Sequence, residues 1–513
     1  MKKTLMLLSL VVLSACSKKF QAEQPTIIDN PADLATRMTN QNATSIDFIT
    51  LSQMTSSIPK FQHLADISSP IVAGYKTKAT AMLKLDNRLL IAYNTEGPVV
   101  AGGVDIVDIS NLYSPVLVAS WQSTVYEFND IKSKGRALYL AGSKKDVGAV
   151  VVIMDIANMA TPQVMNELLV QGQVATSIDV RNDRLFVSSS LNGGITRYEV
   201  SYSDVLNPTY LQYNAFPNAL YVKSLYNPYE NLSTNLEPMI LGGNADTHLY
   251  FMDKELPLAT ATSVAPSRFT TQGPLVYINS SAGGLKVTEI SKFYDGRGFE
   301  GFVSSLALPG TGNGIAEMDQ RLYVARGESG IRYVNVDEPG APTEVGYFDF
   351  GDGGSSNNVW VERYAWTFKV IGVADGAGGV RLVLEDTTAF RNAGDWIQIY
   401  AKGTPAVSVN PVMEVYVNGA LVSSQSVSSS DWRIYHVNLA SPVAFGGEVK
   451  IRFANDFANA IDDRNLSIGY VKIGDDYYYP WWNNYYLDAG TLVFGPQTDN
   501  LRMPWNGYIK LIR

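Results

Sequence analysis

The stretch "GGVDIVDISNLYSPVLVAS" (residues 102–120) contains a glycine pair, a short apolar run, an acidic residue and then a proline before a second apolar run. The same order returns in "GAVVVIMDIANMATPQV" (residues 148–164) and in "GIRYVNVDEPGAPTEV" (residues 330–345). Short apolar runs bounded by glycine and proline are typical of β-strands, and proline is tolerated where a strand begins or lies at a sheet edge. The recurrence therefore indicates one β-rich unit that the chain repeats.

The repeat has a mean period of about 46 residues if one weaker unit, "MILGGNADTHLYFMDKELPLA" (residues 239–259), is included. The other units start near Gly103, Gly148, Gly194, Gly284, Gly330 and Gly379. A period in the forties with about four short strands per unit predicts a β-propeller. We expect an all-β fold in which residues 61–386 form a seven-bladed propeller.

The repeats resemble those of the LVIVD-repeat propellers of exported bacterial proteins, and "DIVDIS" (residues 105–110) is the closest match. The segment "LADISSPIVAGY" (residues 64–75) echoes the repeat but has no complete blade in front of it, whereas the last unit lacks a following outer strand. We therefore expect the N-terminal segment to complete the last blade, because this join would protect two sheet edges.

An acidic residue recurs at one position of the repeat, with Asn335 replacing it once. The acidic residues are Asp108, Asp155, Glu199, Asp253 and Glu289. They are either a ring of ligands or the turn chemistry of a repeated blade, and the second interpretation is favoured because Asp and Asn stabilise turns through their own backbone.

The pattern changes after Asp386. Residues 387–513 contain alternating strands such as "WIQIYAKG" (residues 396–403) and "EVKIRFAND" (residues 448–456), without the 46-residue period. Alternation with turn residues between the strands predicts an antiparallel β-sandwich.

Three pieces of this region, "MEVYVNG" (residues 413–419), "IRFANDFANAIDDRNLSIGYVKIGD" (residues 451–475) and "RMPWNGYIKL" (residues 502–511), resemble the calcium-dependent xylan-binding carbohydrate modules. The resemblance implies that a loop binds Ca²⁺ and that vicinal sugar hydroxyls complete its coordination, which suits an ion that takes six to eight oxygens. The implied metal ligands are Asp456, Asp462 and Asp463, and the implied ligand-binding neighbours are Asn455, Arg464 and Asn465. Without the resemblance, the same residues would be a strand-connecting loop with solvated charges.

The densest aromatic stretch is "YYYPWWNNYY" (residues 477–486). Tyrosine and tryptophan are common at binding surfaces, so Trp481 and Trp482 are candidates for stacking on sugar rings. The alternative is that these rings fill the sandwich core or its seam with the propeller, and we expect a mixture of both.

The first residues, "MKKTLMLLSLVVLSACSKKF", have the layout of a secretory signal, and the run before Cys16 resembles the lipobox of bacterial lipoproteins. That resemblance implies a signal peptide over residues 1–15, a lipid on Cys16 and, with Ser17 next, an outer-membrane lipoprotein facing the periplasm or the cell surface. An ordinary secretory signal is the alternative, but Cys16 is the only cysteine, so it has no partner for an internal disulfide. Residues 16–60 are predicted to form a tether.

These features favour an envelope-anchored lipoprotein that recognises polysaccharide without catalysis, with calcium as the cofactor. A protein-interaction scaffold that uses the propeller is one alternative, and a carboxylate-dependent hydrolase or lyase on the propeller is another. The net charge of −9 argues against a nucleic-acid partner, and the chain carries neither a P-loop nor a dinucleotide fingerprint.

The lipoprotein hypothesis makes a direct prediction about Cys16. Cys16→Ser removes the only thiol to which a lipid can be attached, so the variant should move from the membrane fraction to the soluble fraction. Fractionation followed by immunoblotting measures this shift, and Ser17→Ala is the matched control. If Cys16→Ser stays in the membrane fraction to the same extent, the anchor lies elsewhere.

Overall fold

The computed structural model describes residues 25–51, 59–386 and 396–513 except for residues 96, 217–218, 225–238, 243–246, 252–253, 258–267, 273–274, 282, 290–301, 352–353, 366–367, 431, 460, 475, 480–484, 489, 491, 495–500 and 504. Cys16 and the predicted signal peptide lie outside these residues. No helix in this part of the chain is long and apolar enough to span a membrane.

The first elements are short strands and one helix. They are β1 (Thr26–Ile28), α1 (Pro31–Ala35), β2 (Met38–Ile46), β3 (Phe48–Thr50), β4 (Lys60–Ile67), β5 (Ile71–Val72) and β6 (Tyr75–Lys76). The helix begins at an Asn30 cap, whose side chain accepts a hydrogen bond from the Ala32 amide at 3.0 Å, and its Leu34 is buried against the propeller.

Seven antiparallel sheets then follow one another within the described residues, and each is built mainly from consecutive strands. Sheet one contains β7 (Lys78–Leu85), β8 (Arg88–Asn94), β9 (Gly102–Asp108) and β10 (Val116–Ser123). Sheet two contains β11 (Tyr126–Lys134), β12 (Ala137–Lys144), β13 (Gly148–Asp155) and β14 (Gln163–Leu169). Sheet three contains β15 (Val174–Arg181), β16 (Arg184–Ser190), β17 (Gly194–Ser201) and β18 (Asp204–Ala215).

Sheets four to seven continue the series. They contain β19 (Tyr221–Ser224), β20 (Met239–Gly242), β21 (Thr247–Phe251) and β22 (Lys254–Pro257); β23 (Arg268–Gln272), β24 (Leu275–Ser280), β25 (Gly284–Glu289) and β26 (Ser304–Leu306); β27 (Gly314–Met318), β28 (Arg321–Ala325), β29 (Ile331–Asn335) and β30 (Thr343–Phe348); and β31 (Asn358–Ala365), β32 (Phe368–Ala374) and β33 (Val380–Asp386), followed by β4.

The first strands of the sheets contact one another in the cyclic order β7, β11, β15, β19, β23, β27, β31 and back to β7. This ring of first strands is the arrangement of a β-propeller, so the predicted fold is confirmed. Since parts of sheets four and five lie outside the described residues, the count of seven blades for the complete chain stays a prediction.

The fourth strand explains the recurring glycine in several sheets, such as sheets six and seven. At Gly330, which has a positive φ of 71°, an added Cβ would lie 2.4 Å from the Phe348 carbonyl oxygen. At Gly379 the corresponding atom is the carbonyl oxygen of Ile67, only 2.0 Å away. Glycine therefore recurs where the third strand begins because the fourth strand approaches too closely for a side chain.

Two of the recurring acidic residues stabilise the turn that follows their own strand. Asp108 accepts a hydrogen bond from the Ser110 amide at 2.9 Å and pairs with Arg88 on the neighbouring strand at 2.5 Å. Asp155 repeats both contacts, with the Ala157 amide at 2.9 Å and with the Arg136 guanidinium at 3.4 Å. The favoured interpretation, turn chemistry repeated with the blade, fits these contacts. Asp253 lies outside the described residues.

The N-terminal segment closes the propeller. β4 pairs antiparallel with β33 from the Ile67–Val380 pair to the Lys60–Asp386 pair, so this segment supplies the fourth strand of the last sheet as predicted. The closing strand is Lys60–Ile67, somewhat earlier than the echo at residues 64–75, whose second half instead forms the small β5–β6 hairpin.

The structure differs from the predicted tether over residues 16–60. β1 pairs with β10, β2 with β4 and β3 with β30, so residues 26–50 form extra outer strands on three sheets. Arg37 ties this segment inward by hydrogen bonding the buried Asp105 carboxylate at 3.1 Å and the Ser68 carbonyl at 2.7 Å. These strands lack a clear hydrophobic alternation because they lie at the rim, where none of their side chains is fully buried.

The C-terminal region folds as the predicted antiparallel sandwich. Its strands are β34 (Trp396–Thr404), β35 (Val412–Val417), β36 (Ala420–Ser426), β37 (Arg433–Asn438), β38 (Glu448–Phe453), β39 (Asn465–Ile473), β40 (Asp476–Tyr478), β41 (Tyr485–Leu487), β42 (Leu492–Phe494), β43 (Leu501–Met503) and β44 (Gly507–Ile512). One sheet has the order β37-β34-β39-β40, with β43 also on β39, and the other has the order β36-β35-β38-β44-β41-β42. Buried aliphatic side chains of both sheets form the core between them.

An aromatic seam joins the sandwich to sheets five and six. Tyr400, Trp432 and Tyr470 belong to the same apolar cluster as buried residues of β24, β25 and β28. The Tyr400 ring stacks on Trp432 at 5.0 Å and on Tyr470 at 5.1 Å between centroids. Gly469 makes this stack possible, since an added Cβ would lie 2.8 Å from the Tyr400 ring.

Two propeller carboxylates anchor the seam. Glu289 accepts hydrogen bonds from Trp432 Nε1 at 2.6 Å and from Lys402 Nζ at 3.1 Å. Asp337 lies 3.2 Å from the Arg321 guanidinium and 3.6 Å from Lys472 Nζ. Glu289 occupies the acidic position of the repeat, so a residue that stabilises a turn elsewhere connects the two domains here.

Closure by β4 yields a prediction at Leu64, which is fully buried in the core beside the first and last sheets. Leu64→Ala should lower the free energy of unfolding by about 2–5 kcal/mol, because it leaves a cavity in a packed core. Urea denaturation measures the loss. The control Ile71→Ala, at a position 65% exposed, should change stability by less than about 0.5 kcal/mol. Equal effects of the two variants would contradict closure by β4.

The seam yields a prediction about pH. Burial alone would raise the pKa of Asp337, but the charges of Arg321 and Lys472 and a hydrogen bond from Tyr477 outweigh it and lower the pKa to about 2. The stabilisation of the folded state by the ionised Asp337 is therefore complete above the pKa of an unfolded aspartate, about 4, and it is lost as the pH falls towards 2. Asp337→Asn should remove roughly 2 kcal/mol of acid-dependent stability.

Urea unfolding of the full chain at pH 7 and pH 3 tests this prediction, because the wild type should lose more stability on acidification than Asp337→Asn. The control Asp86→Asn changes an exposed carboxylate in a turn with a positive φ, which asparagine tolerates. It should keep the pH dependence of the wild type, and identical pH profiles for all three proteins would count against the role of Asp337.

Candidate calcium and glycan site

The candidate loop connects β38 to β39 at one end of the sandwich. Ala458 and Asp463 form an isolated antiparallel bridge, so the residues between them make a tight turn. Within it, Asn459 Oδ1 accepts hydrogen bonds from the Ile461 and Asp462 amides, both at 2.7 Å. The asparagine fixes the turn, and the bridge brings its two ends together.

This bridge places Asp456 near Asp463. Burial raises the pKa of Asp456, and the negative charge of Asp463 raises it further, although the Phe457 amide and Arg464 act in the opposite direction. Asn465 Nδ2 donates a hydrogen bond to Asp463 Oδ2 at 2.9 Å, which connects the first residue of β39 to the same group. The loop therefore concentrates oxygen atoms and negative charge at one point.

Two oxygens of this group lack protein partners. Asp456 Oδ1 and Asn465 Oδ1 are both buried, and neither has a hydrogen-bond donor within reach. The Asn465 side chain is nearly inaccessible, with 3% of its surface exposed. A buried acceptor without a donor costs free energy, whereas a hard cation would satisfy both atoms. The donor set, carboxylate and amide oxygens, is the one that Ca²⁺ prefers.

The remaining predicted metal ligand, Asp462, lies in the turn beyond the bridge. Its backbone oxygen accepts a hydrogen bond from the Asn459 amide at 2.8 Å, and Asp463, unlike Asp462, is among the groups that raise the pKa of Asp456. Within the described ranges, no group of three or more His, Cys, Asp or Glu side chains is close enough to hold a metal ion. The fit to calcium therefore depends on two carboxylates together with amide oxygen.

Two predicted ligand-binding residues, Arg464 and Asn455, make hydrogen bonds that hold the loop. The buried Arg464 guanidinium donates hydrogen bonds to the carbonyls of Ala406 at 2.9 Å, Val409 at 2.9 Å and Asn455 at 2.6 Å. The Asn455 amide group accepts from the Val412 amide at 2.6 Å and donates to the Asn410 carbonyl at 2.9 Å. Both side chains hold the loop against its neighbours, and their predicted part in ligand binding stays a prediction.

Part of the aromatic stretch at residues 477–486 packs in the seam with the propeller, which is one of the two locations that the sequence left open. The Tyr477 hydroxyl donates to Asp337, and Tyr479 accepts a hydrogen bond from Gln272 at 2.7 Å, so these two rings belong to the seam. Trp481 and Trp482 lie outside the described residues, and their predicted role stays a prediction.

The structure adds two residues to which the sequence assigned no role. Asn506 Oδ1 accepts a hydrogen bond from the Asp456 amide at 2.6 Å, and the neighbouring Trp505 is half exposed. Both lie in "RMPWNGYIKL", one of the stretches that carries the resemblance. That stretch alone could have suggested an aromatic ring beside the loop, but only the fold brings residues 456 and 506 together.

Two parts of the chain match family models. Residues 396–481 match the family described as a Ca-dependent, xylan-binding carbohydrate-binding module (CBM60). Residues 99–123 match the LVIVD repeat. This chain is similar to both predicted families. The first match contains the candidate loop and suggests carbohydrate binding, and the second covers the third and fourth strands of sheet one.

Several solved structures are similar to parts of this chain at low sequence identity and with low TM-scores. Saccharomyces cerevisiae Sqt1 has a TM-score of 0.43 and 9% identity, covering 62% of this chain and 99% of that chain. BBS1N in complex with ARL6DN has a TM-score of 0.40 and 11% identity, covering 68% and 99%. The computationally designed Ika8 protein has a TM-score of 0.38 and 10% identity, covering 61% and 98%. Scores this low carry no argument about function, and no curated protein matches the chain.

Proposed function

We propose that this protein is an envelope lipoprotein, anchored through Cys16 in the outer membrane, that recognises polysaccharide without catalysing its breakdown. The observation that carries the glycan-binding part is the pair of buried oxygens without partners, Asp456 Oδ1 and Asn465 Oδ1, in the loop of the region similar to xylan-binding modules. In this proposal Asp456, Asp463 and Asn465 hold Ca²⁺.

The ion supplies the link to the sugar. Calcium accepts six to eight oxygens in a flexible geometry, so three protein side chains leave positions for water or for a vicinal diol. Two hydroxyls of one sugar ring can replace two waters without changing the charge of the site. Arg464 and Asn455 contribute by holding the loop, and the half-exposed Trp505 directly precedes Asn506, which accepts a hydrogen bond from the Asp456 amide.

The seam covers part of the sheet that carries Tyr400, so the glycan is more readily bound by a loop of the sandwich than by this sheet. That sheet packs its aromatic side chains onto the propeller and is therefore covered where they lie. The propeller would then act as a rigid support that holds the sandwich in one orientation, since an apolar cluster, the buried Glu289 and the partly buried Asp337 fix the seam.

A second candidate function is a protein-interaction scaffold. Large apolar side chains are exposed on the outer strands of sheets two and three, including Met165 and Leu169 of β14 and Tyr210 of β18. Strands β14 and β18 contact each other, so these side chains lie on one region of the propeller rim. Contiguous exposed apolar surface is typical of protein-binding sites.

Calcium titration of the full chain, without the signal peptide, tests the proposed site. Calcium at a hundredfold excess over its Kd should stabilise the folded state by about 2.7 kcal/mol, and chelation with EDTA should reverse this. Asp456→Asn should abolish the calcium-dependent rise in melting temperature. In EDTA the same variant should be as stable as the wild type or more stable, because it removes a half-buried carboxylate that Asp463 repels.

Xylan in affinity electrophoresis provides the ligand test. The wild type should be retarded with calcium and released by EDTA, and Asp456→Asn should migrate freely under both conditions. The exposed Asp146→Asn should behave like the wild type. If calcium produces neither heat nor a thermal shift, the metal site is absent and the scaffold becomes the leading function. Calcium binding without retardation would contradict xylan as the ligand.

A further inference from the structure

The N-terminal segment adds a strand to the outer edge of three sheets, and its contacts show how these edges accept one. β3 pairs antiparallel with β30 of sheet six, with Ile49 opposite Tyr347. The amide of Leu51, two residues further along, donates to the Val345 carbonyl at 2.9 Å. β1 and β2 extend sheets one and seven in the same antiparallel manner. The outer strands of this propeller therefore accept an added strand through their outward backbone groups.

Sheet three has the same outer edge without the added strand. The fourth strand carries a bulge at Val345 in sheet six and at Leu211 in sheet three. Two residues after the bulge, Tyr213 therefore corresponds to Tyr347, the residue that lies opposite β3. Among the strands that the structure describes, β18 is the last of its sheet, and none pairs with its outer side.

The backbone of β18 directs hydrogen-bonding groups to this open side. The Phe216 amide donates to the Gly193 carbonyl at 3.3 Å, which lies on the side of β17. Because the direction alternates along a strand, the amides and carbonyls of Tyr213 and Ala215 point the other way. Within the described part of the chain, neither amide has a hydrogen-bond acceptor. These groups correspond to those that β3 pairs with on sheet six.

The equivalent edge of sheet two is blocked by its own strand. Glu167, two residues after the bulge of β14, donates its amide to the Asn166 side chain at 2.8 Å. An added strand would find this donor already occupied. Sheets four and five end in β22 and β26, which lie close in sequence to residues outside the described ranges. Sheet three is thus the edge at which the structure supports strand addition.

The side chains along this edge suit an apolar strand. Tyr210 and Leu211 are 59% and 43% exposed, and none of residues 205–215 is charged. Exposed edges are usually protected by charged residues or by proline, and the one proline of β18, Pro208, precedes the bulge. An uncharged edge of this kind suits a segment of β-branched, aromatic and aliphatic residues, which is the composition of "FITL" (residues 48–51) in and after β3.

We propose that the outer edge of sheet three binds an extended segment of a partner protein as an antiparallel fifth strand, in the register that β3 adopts on sheet six. The main-chain groups of Leu211, Tyr213 and Ala215 would bind the backbone of the segment, and an aliphatic side chain of the segment would lie beside Leu211. This inference goes beyond glycan recognition. It rests on the scaffold function, for which it specifies the surface and the chemistry of the partner.

A peptide with the sequence of residues 45–51, "SIDFITL", acetylated and amidated at its ends, is the probe. The chain's own β3 already occupies sheet six, so an added copy is left with the open edges. Titration with the full chain, without the signal peptide and in EDTA, should give a Kd below about 1 mM by ligand-observed NMR. Because EDTA removes calcium, failure of this proposal and failure of the calcium site appear in separate experiments.

Methylated peptides test the mode of binding. The amide of Ile49 faces β30 in sheet six, as that of Leu51 does, so its methylation should weaken binding to sheet three about tenfold or more. The Thr50 amide points away from the edge, so methylation there is the matched control and should leave binding unchanged. Equal effects of the two methyl groups would overturn strand addition.

Variants locate the edge. Ala215→Pro removes an outward amide at an exposed position and should weaken peptide binding about tenfold or more, because proline has no donor. Leu211→Lys places a charge on the same edge and should also weaken binding. Leu169→Pro is the matched control on sheet two, since Leu169 follows the bulge of β14 at the same interval, and this variant should bind like the wild type.

Melting temperatures show whether each variant is folded, and the methylated peptides decide the outcome on the wild type if Ala215→Pro does not fold. The proposal is overturned if the peptide does not bind, if folded Ala215→Pro and Leu211→Lys bind like the wild type, or if Leu169→Pro weakens binding equally. Sedimentation that shows a dimer dissociated by Ala215→Pro would mean that a second copy occupies the edge, and it would also overturn the proposal.

Discussion

The pairing of β4 with β33 is the interaction on which the rest of the structure depends. An open sheet exposes unpaired backbone groups at both edges, and a propeller avoids this problem only when its last sheet is joined to its first. Here the chain places a segment from before the first sheet into the last sheet. This pairing brings the first strands into a closed ring.

Closure also determines how the protein would sit at a membrane. β1, β2 and β3 lie on the propeller rim, and nine residues separate Cys16 from β1, the first strand that the structure describes. A fully extended chain spans at most about 3.6 Å per residue, so a lipid on Cys16 would hold sheet one within roughly 35 Å of the bilayer. This is a short connection, and the tether over residues 16–60 that the sequence predicts would permit a much larger distance.

The same residue type performs different work at equivalent positions of the repeat. Asp108 and Asp155 stabilise turns, whereas Glu289 accepts hydrogen bonds from Trp432 and Lys402 of the sandwich. A carboxylate already bonded to its own turn offers little to a partner, so a repeated acidic position is poor evidence for a ligand. The oxygens of Asp456 and Asn465 differ because they are buried without a donor.

The sequence by itself determined the elements that depend on local pattern. The glycine-marked period predicts the propeller, the alternation after Asp386 predicts the sandwich, and the spacing around Asp456 locates the loop, because turn chemistry and side-chain alternation act over a few residues. Only the tertiary structure decided which loop oxygens lack partners, that Arg464 points to backbone carbonyls, and which outer edges the N-terminal strands cover. Those outcomes depend on contacts between residues far apart in the chain, and local pattern does not encode such contacts.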